Sequence, residues 1–355
     1  MAGTTLLSLG SLTVGPTTKE AHVSQQQTVD DDFPKLTDPY RRELLAHCYR
    51  MLGSVHDAED LVQETYLRAW RAYHKFENRS SVRTWLYRIA TNACLTALDG
   101  REKRPLPTGL GAPSISPDAP LVERGEVPWL EPMPDALVGA DDGDPADAAT
   151  SRESIRLAFI AALQHLPPRQ RAVLVLRDVL KWRAAEVAEA LETTTKAVNS
   201  TLQRARAQLE RAKPTQESTV ESLSPEQRQL LNRYVAAFWE KDISAIVEML
   251  STDAIWEMPP FTGWYQGAEN IGRLIAAQCP GGRGDMRLVA TEANGQPAFG
   301  LYMRGGDGSF WPFHLQVLTF GPAGVSHVAA FFDTHLFATF GLPSSLPAVQ
   351  QPVAE

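Results

Sequence analysis

Proline is placed along this 355-residue chain so as to dictate where regular structure can begin and end. It occurs at 105, 107, 113, 117, 120, 128, 132, 134 and 145, whereas positions 40–104 contain none. A residue that fixes φ and donates no backbone hydrogen bond cannot recur so densely within a helix or a sheet. Residues 105–150 are therefore expected to form a flexible, disordered linker between two folding units. The flanking blocks, 40–104 and 151–213, both carry apolar residues at helical spacing; the second is interrupted at Pro167-Pro168 and closed by Pro214.

A net charge of −8 argues, as a total, against a polyanionic partner. Its distribution argues the reverse. The two helical blocks carry +4 and +6, while the leader 1–39, the linker and residues 214–355 carry −3, −8 and −7. Two cationic units thus flank an acidic tether, a pattern the total conceals. Three cysteines, Cys48, Cys94 and Cys279, without C-x-x-C spacing fit a reduced, cytoplasmic chain. The apolar stretch Leu6–Leu12 lacks a cationic lead, and no run reaches the length of a membrane span. No membrane partner and no metal are expected. The leader is expected to be disordered.

In residues 57–71, Ala58, Leu61, Val62, Thr65 and Ala69 share one helical face, which marks the core. Opposite lie Asp60, Gln63, Glu64, Leu67 and Arg71. That face is either solvated or a partner surface, and Leu67 with Trp70 at its edge favours the partner. In residues 80–104, Val82, Trp85, Leu86, Ile89, Ala93 and Ala97 line the buried side of a second helix. Thr84, Tyr87, Arg88, Thr91 and Asn92 are left outside or at the margin, and Arg101, Lys103 and Arg104 follow the expected C-cap, Gly100. Cations, an amide and an aromatic on one surface suit phosphate contact and base stacking, although end-of-helix cations also serve the dipole.

These strings, DAEDLVQETYLRAW and RTWLYRIATNACL, resemble region 2 of the sigma-70 superfamily in its extracytoplasmic-function (ECF) branch. The resemblance implies that Asp60, Gln63, Glu64 and Leu67 dock on the β′ clamp helices of core RNA polymerase. It implies that Tyr87, Arg88, Asn92, Arg101, Lys103 and Arg104 meet the −10 promoter element. Thr96 and Asp99-Gly100 depart from the usual pattern.

Residues 183–211 read as a helix-turn-helix. Val187, Ala188 and Leu191 face inward, Glu192–Thr194 turn, and Val198, Leu202, Ala205 and Leu209 form the buried stripe of a helix capped by Thr194. Lys196, Asn199, Ser200, Gln203 and Arg204 then project outward, as side chains that read base edges in a major groove do. An ordinary αα-hairpin is the plain alternative. With residues 155–182 before it, the block is similar to sigma region 4, which implies −35 recognition and contact with the polymerase β flap. Glu192, where glycine is frequent, and Trp182-Arg183 depart from that pattern.

Residues 223–340 change character. Helices are expected at 225–240, 242–250 and 268–278, and strands at 254–258, 286–292, 298–304, 311–320 and 325–332. WEMPPFTGWYQGAENI and HVAAFFDTHLFATFGLP resemble the SnoaL-like polyketide-cyclase cone, an α+β fold appended to some actinobacterial sigma factors, including the SigG type. Candidate cavity residues are Trp256, Trp264, Tyr265, His314, Asp333 and His335, with Trp311 as a further wall, although each histidine and aromatic also reads as ordinary core. No acid/base pairing is evident from spacing, so no catalytic residue, enzyme activity or cofactor is assigned. The expected architecture is multidomain: leader 1–39, two all-α sigma domains at 40–104 and 151–213 joined by the linker, a second linker at 214–222, the α+β cone at 223–340 and a tail at 341–355. The expected function is promoter-directed initiation with core RNA polymerase, the cone regulating it through the sigma core, the polymerase, a small-molecule ligand or an unknown anti-sigma partner. Alternatives are a ligand-controlled helix-turn-helix regulator and a cyclase or isomerase fused to DNA-binding modules.

Overall fold

The computed structural model describes residues 33–76, 80–138, 153–212 and 223–348. In the first domain α1 (Arg41–Leu52), α2 (Val55–Ala72) and α3 (Val82–Ala97) pack on one another. Ser54 and Ser81 start α2 and α3 by accepting from the N–H of Asp57 and Thr84, each at 3.1 Å. Gly53 ends α1 in a left-handed turn with φ 71°, where a side chain is strained.

The leader is shorter than expected. A helical turn at 33–37 and the 3-10 turn Asp38–Tyr40 run into α1. Phe33 is buried edge-on to Tyr73 with ring centroids 5.5 Å apart, and Tyr66 Oη donates to the Thr37 carbonyl at 3.0 Å. A single aromatic anchor fixes the start of this segment, a contact that composition alone does not reveal. Residues 1–32, and the expected linker segments 139–150 and 214–222, lie outside the described residues.

The linker is not disordered over its described part, which runs to Val138. Ser114 N donates to the Trp264 carbonyl at 2.7 Å, Arg124 N to Pro260 at 3.0 Å, and Thr262 N to Val122 at 3.0 Å. The segment then comes back: Leu130 N donates to the Pro105 carbonyl and Glu131 N to that of Gly53, both at 3.0 Å. Proline excludes a regular ladder, as expected. A proline-rich backbone also has few donors to satisfy, so a handful of bonds to a neighbouring domain fixes its path.

The second domain contains α4 (Leu157–Gln164), α5 (Pro168–Leu174), α6 (Ala184–Ala190) and α7 (Thr195–Ala212). The C-terminal domain opens with α8 (Pro225–Glu240) and α9 (Ile243–Met249), the latter capped by Asp242, which accepts from Ala245 N at 3.0 Å. Strands β1 (Leu250–Glu257), β2 (Trp264–Gln266), β3 (Met286–Ala293), β4 (Gln296–Arg304), β5 (Phe310–Gly321) and β6 (Gly324–Phe331) form one sheet in the order β2-β1-β6-β5-β4-β3, with α10 (Ala268–Gln278) between β2 and β3. Only the β1–β6 pair is parallel. Strand β2 had no sequence signal, because three residues are too few to show alternation. The start of the expected tail folds back, with Phe310 and Leu346 exchanging backbone hydrogen bonds at 2.8 and 2.9 Å.

Both faces of the sheet are buried. Helices α8, α9 and α10 cover one, forming a core with Trp256, Leu301, Leu318 and Val328. On the other, Ala298, Leu315, Val317, Ala329 and Phe331 belong to the same continuous core as Leu44, Val62, Leu163 and Val198 of the helical domains. The β3–β4 turn secures that junction. Asn294, left-handed at φ 57° and fully buried, donates through Nδ2 to Tyr49 Oη at 2.8 Å and to the Ile155 carbonyl at 2.6 Å, and its Oδ1 accepts from Met133 N at 2.9 Å. One side chain thus joins the first domain, the linker and the approach to the second.

Candidate functional site

Helix α2 buries the expected stripe, with Ala58, Val62, Thr65 and Ala69 inside. Its opposite face is open to solvent. Asp60 and Gln63 are exposed there, Leu67 and Trp70 expose 50% and 40% of their surface, and Glu64 is half-buried, accepting from Arg68 Nε at 2.7 Å. Two large apolar side chains left uncovered beside carboxylates and an amide make a surface suited to another protein.

The neighbouring surface on α3 is treated differently. Arg88 and Asn92 are exposed, as expected, but Tyr87 is not at the margin; it is fully buried. Its ring meets Trp182 of the second domain edge-on at 6.0 Å, and its hydroxyl donates to Glu43, which also holds Arg83 in a two-point ion pair. Thr91 is buried as well, bonded to His47 Nε2 at 2.9 Å. Helical spacing within α3 could not reveal this, because α1 covers Thr91 and, together with Trp182 of the second domain, Tyr87. Arg88 approaches Glu189 of α6 to 3.9 Å. Arg101 and Arg104 both grip Asp57 Oδ2, at 3.0 and 2.8 Å, and Lys103 is exposed. Burial and the cations Arg50 and Arg83 push the His47 pKa down to about 3.

In the second domain Val187, Ala188 and Leu191 are buried, and so are Val198, Leu202 and Ala205. Ala197 N donates to Thr194 Oγ1 at 3.1 Å, and Glu192 takes up the left-handed turn at φ 50°. This explains why glycine suits that position. Lys196, Asn199, Ser200, Gln203 and Arg204 are all exposed on the first half of α7. An amide-rich, cationic helix end raised on a short helix and tight turn is dimensioned for a major groove.

The expected C-terminal cavity does not assemble. Trp256 and Tyr265 are core, and Trp264, half-buried, donates through Nε1 to the linker carbonyl of Gly111 at 2.9 Å. Trp311 is 50% exposed. His314 is buried beside Phe332, ring centroids 4.7 Å apart, and burial pushes its pKa down to about 3. Asp333 and His335 pair with each other at 2.9 Å on the surface. The partners His314 does have are Gln316, 2.8 Å away, and through it Tyr234, whose hydroxyl donates to Gln316 Oε1 at 2.9 Å. No spacing rule links Tyr234 on α8 to β5, so these were missed. Glu257 was missed too: fully buried, it contacts His327 Nε2 at 2.7 Å and accepts from the linker N–H of Thr108 at 3.0 Å.

The Sigma-70 region 2 family matches residues 36–104, and Sigma-70, region 4 matches residues 156–209. Over 317 residues the chain is 62% identical to the ECF RNA polymerase sigma factor SigG of Mycobacterium tuberculosis, covering 89% of this chain and 85% of that one. This chain belongs to the ECF RNA polymerase sigma factors. The sigma factor SigJ of the same organism is 30% identical over 244 residues, 66% of this chain and 69% of SigJ. The crystal structure of SigJ superposes with a TM-score of 0.55 at 24% identity, covering 90% of this chain and 100% of that one. Over that share of the chain the fold, including the SnoaL-like sheet domain, is thus shared with a solved structure. No described helix is long and apolar enough to cross a membrane.

Proposed function

We propose that the described arrangement is the resting form of this sigma factor, in which the C-terminal domain holds regions 2 and 4 and the linker together. As an ECF sigma factor the chain binds core RNA polymerase and directs it to promoters. In our assignment Asp60, Gln63, Glu64 and Leu67 meet the polymerase clamp, Arg88, Asn92, Arg101, Lys103 and Arg104 the −10 element, and Lys196, Asn199, Ser200, Gln203 and Arg204 the −35 element. Tyr87 leaves the set, since it has no surface to offer.

The observation that carries this reading is the single core shared by both helical domains and the outer face of the sheet. Elements at −35 and −10 lie about 25 base pairs apart, roughly 85 Å of duplex. Regions whose side chains approach to 3.9 Å, as Arg88 and Glu189 do, cannot serve both elements until they part. The C-terminal domain then acts as a clasp rather than an enzyme, because Asp333 and His335 pair with each other on the surface while His314 is buried and bonded to Gln316. Core polymerase supplemented with the full chain is expected to initiate specifically in vitro on genomic fragments. A folded chain that supports no specific start on any fragment would overturn the assignment.

A further inference from the structure

Between the end of α3, the linker and region 4 lies a cleft of about 730 Å³, a volume typical of small-molecule sites. Arg101, Lys103 and Arg104 line it from region 2, and Gln164 and Arg171 line it from region 4. The last two expose only 3% and 2% of their surface. Arg171 Nη1 donates to the Met51 carbonyl and, at 2.8 Å, to Gln164 Oε1; Nη2 donates to the carbonyls of Gln164 and Leu166 at 3.3 and 3.2 Å. Every one of these acceptors is neutral, and the charges acting on Arg171 include no carboxylate among the described residues.

Two donors on the lining are also unanswered. Arg171 Nε and Gln164 Nε2 are buried without partners, and the amide cannot flip usefully, because its oxygen already accepts from Arg171. A buried cation lacking a counter-charge and buried donors lacking acceptors are both costly; the first calls for a negative charge and the second for an acceptor oxygen, and a phosphate supplies both. Of the acids on the lining, Asp57 is engaged by Arg101 and Arg104 and Glu126 by Arg124 at 3.4 Å, while Glu102 is exposed, unlike the buried Arg171. The His165 pKa is lowered by burial and then by Lys103 and Arg171, as expected where positive charge is not neutralised. Leu52, Leu98 and Leu166 add apolar wall.

We infer that this cleft binds a phosphorylated small molecule of nucleotide size, its phosphates on the arginines and lysine and its organic part against the leucines. Guanidinium forks match phosphate oxygens in pairs, and the cleft is larger than a bare phosphate needs. The inference rests on the closed arrangement proposed above, because the walls come from both sigma regions. A ligand bound there favours the closed state and so lowers initiation.

Calorimetric titration of the full chain with ADP and, separately, inorganic pyrophosphate, at ionic strength fixed with sodium chloride, tests it. One ADP is expected per chain, bound more tightly than pyrophosphate. Arg171→Gln is the obvious variant but removes a buried guanidinium on which the fold depends, so two exposed positions carry the test. Lys103→Ala is expected to weaken ADP about tenfold and Glu126→Gln to tighten it about threefold. No uptake of ADP, or an affinity unmoved by both substitutions, overturns the site. Small-angle scattering of the free chain separates the two proposals. An extended chain removes the closed arrangement, whereas a compact chain that takes up neither ADP nor pyrophosphate removes only the cleft.

Discussion

The surfaces we assign to polymerase and to promoter in region 2 lie on adjacent helices, yet the fold leaves the first open and ties up part of the second. On α2, Leu67 and Trp70 stand uncovered. On α3, Tyr87 lies under Trp182, Arg88 faces Glu189, and just beyond the helix Arg101 and Arg104 are tied to Asp57. On the proposed assignment this difference sets an order of events: the free chain is ready for polymerase before it is ready for DNA. Acidic segments elsewhere in the chain act in the same direction, opposing loose adsorption of the free protein on any duplex.

The contrast can be broken most sharply at Asn294. Asn294→Ala removes three side-chain hydrogen bonds, each worth about 1 kcal/mol, and is expected to shift the balance towards the open form roughly a hundredfold. Fluorescence anisotropy should then show the variant binding promoter fragments without polymerase. Promoter binding no stronger than that of the parent chain would remove the clasp. A smaller effect is expected on the open side, where Gln63→Ala with Leu67→Ala should lower core affinity by about 2 kcal/mol while circular dichroism stays unchanged. If core affinity holds, the docking face lies elsewhere.

Acid probes the enclosed side. His47, bonded to Thr91 beneath that surface, and His314 in the C-terminal core are both held neutral, with pKa values pushed down from 6.5 to about 3. Below about pH 6.5 the unfolded chain takes up protons that the folded chain refuses. Stability is therefore full above that pH and falls as pH drops towards 3, by about 1.4 kcal/mol per unit for each histidine. Denaturant melts at pH 7.5 and 5.5 should show the loss, and His314→Phe should roughly halve it; an unchanged slope would mean that His314 is not held neutral. The smallest effect is expected at Glu192, which holds a left-handed turn at φ 50°. Glu192→Gly relieves about 1 to 2 kcal/mol of strain against up to 1 kcal/mol of added chain entropy. Thermal melts should rise by the equivalent of about 0.5 kcal/mol with both surfaces of region 2 unaltered.

Period and capping made much of this architecture legible. The buried stripe of α2, the two inner faces of the helix-turn-helix and the Thr194 and Asp242 caps all depend on residues close in sequence, and the outward set on α7 follows from them. What stayed hidden depends on docking between domains. Tyr87 reads as marginal until Trp182 covers it, and the linker reads as free until Trp264 and Pro260 offer it partners. The candidate cavity was hidden for a different reason. Asp333 and His335 lie two residues apart on the surface after β6, whereas His314 on β5 is buried between Gln316, itself held by Tyr234, and the Phe313 and Phe332 rings.

The bond from Leu130 N to the Pro105 carbonyl, at 3.0 Å, brings the linker back to where it began. Everything between those residues is slack wound on the C-terminal domain, contributing almost nothing to the distance between the two sigma regions. Paid out, about 25 residues at roughly 3.4 Å each add about 85 Å of reach. That is the length of duplex the two regions have to straddle, so under the proposed closed arrangement the clasping domain doubles as a reel, and the length it releases sets how far apart they can go.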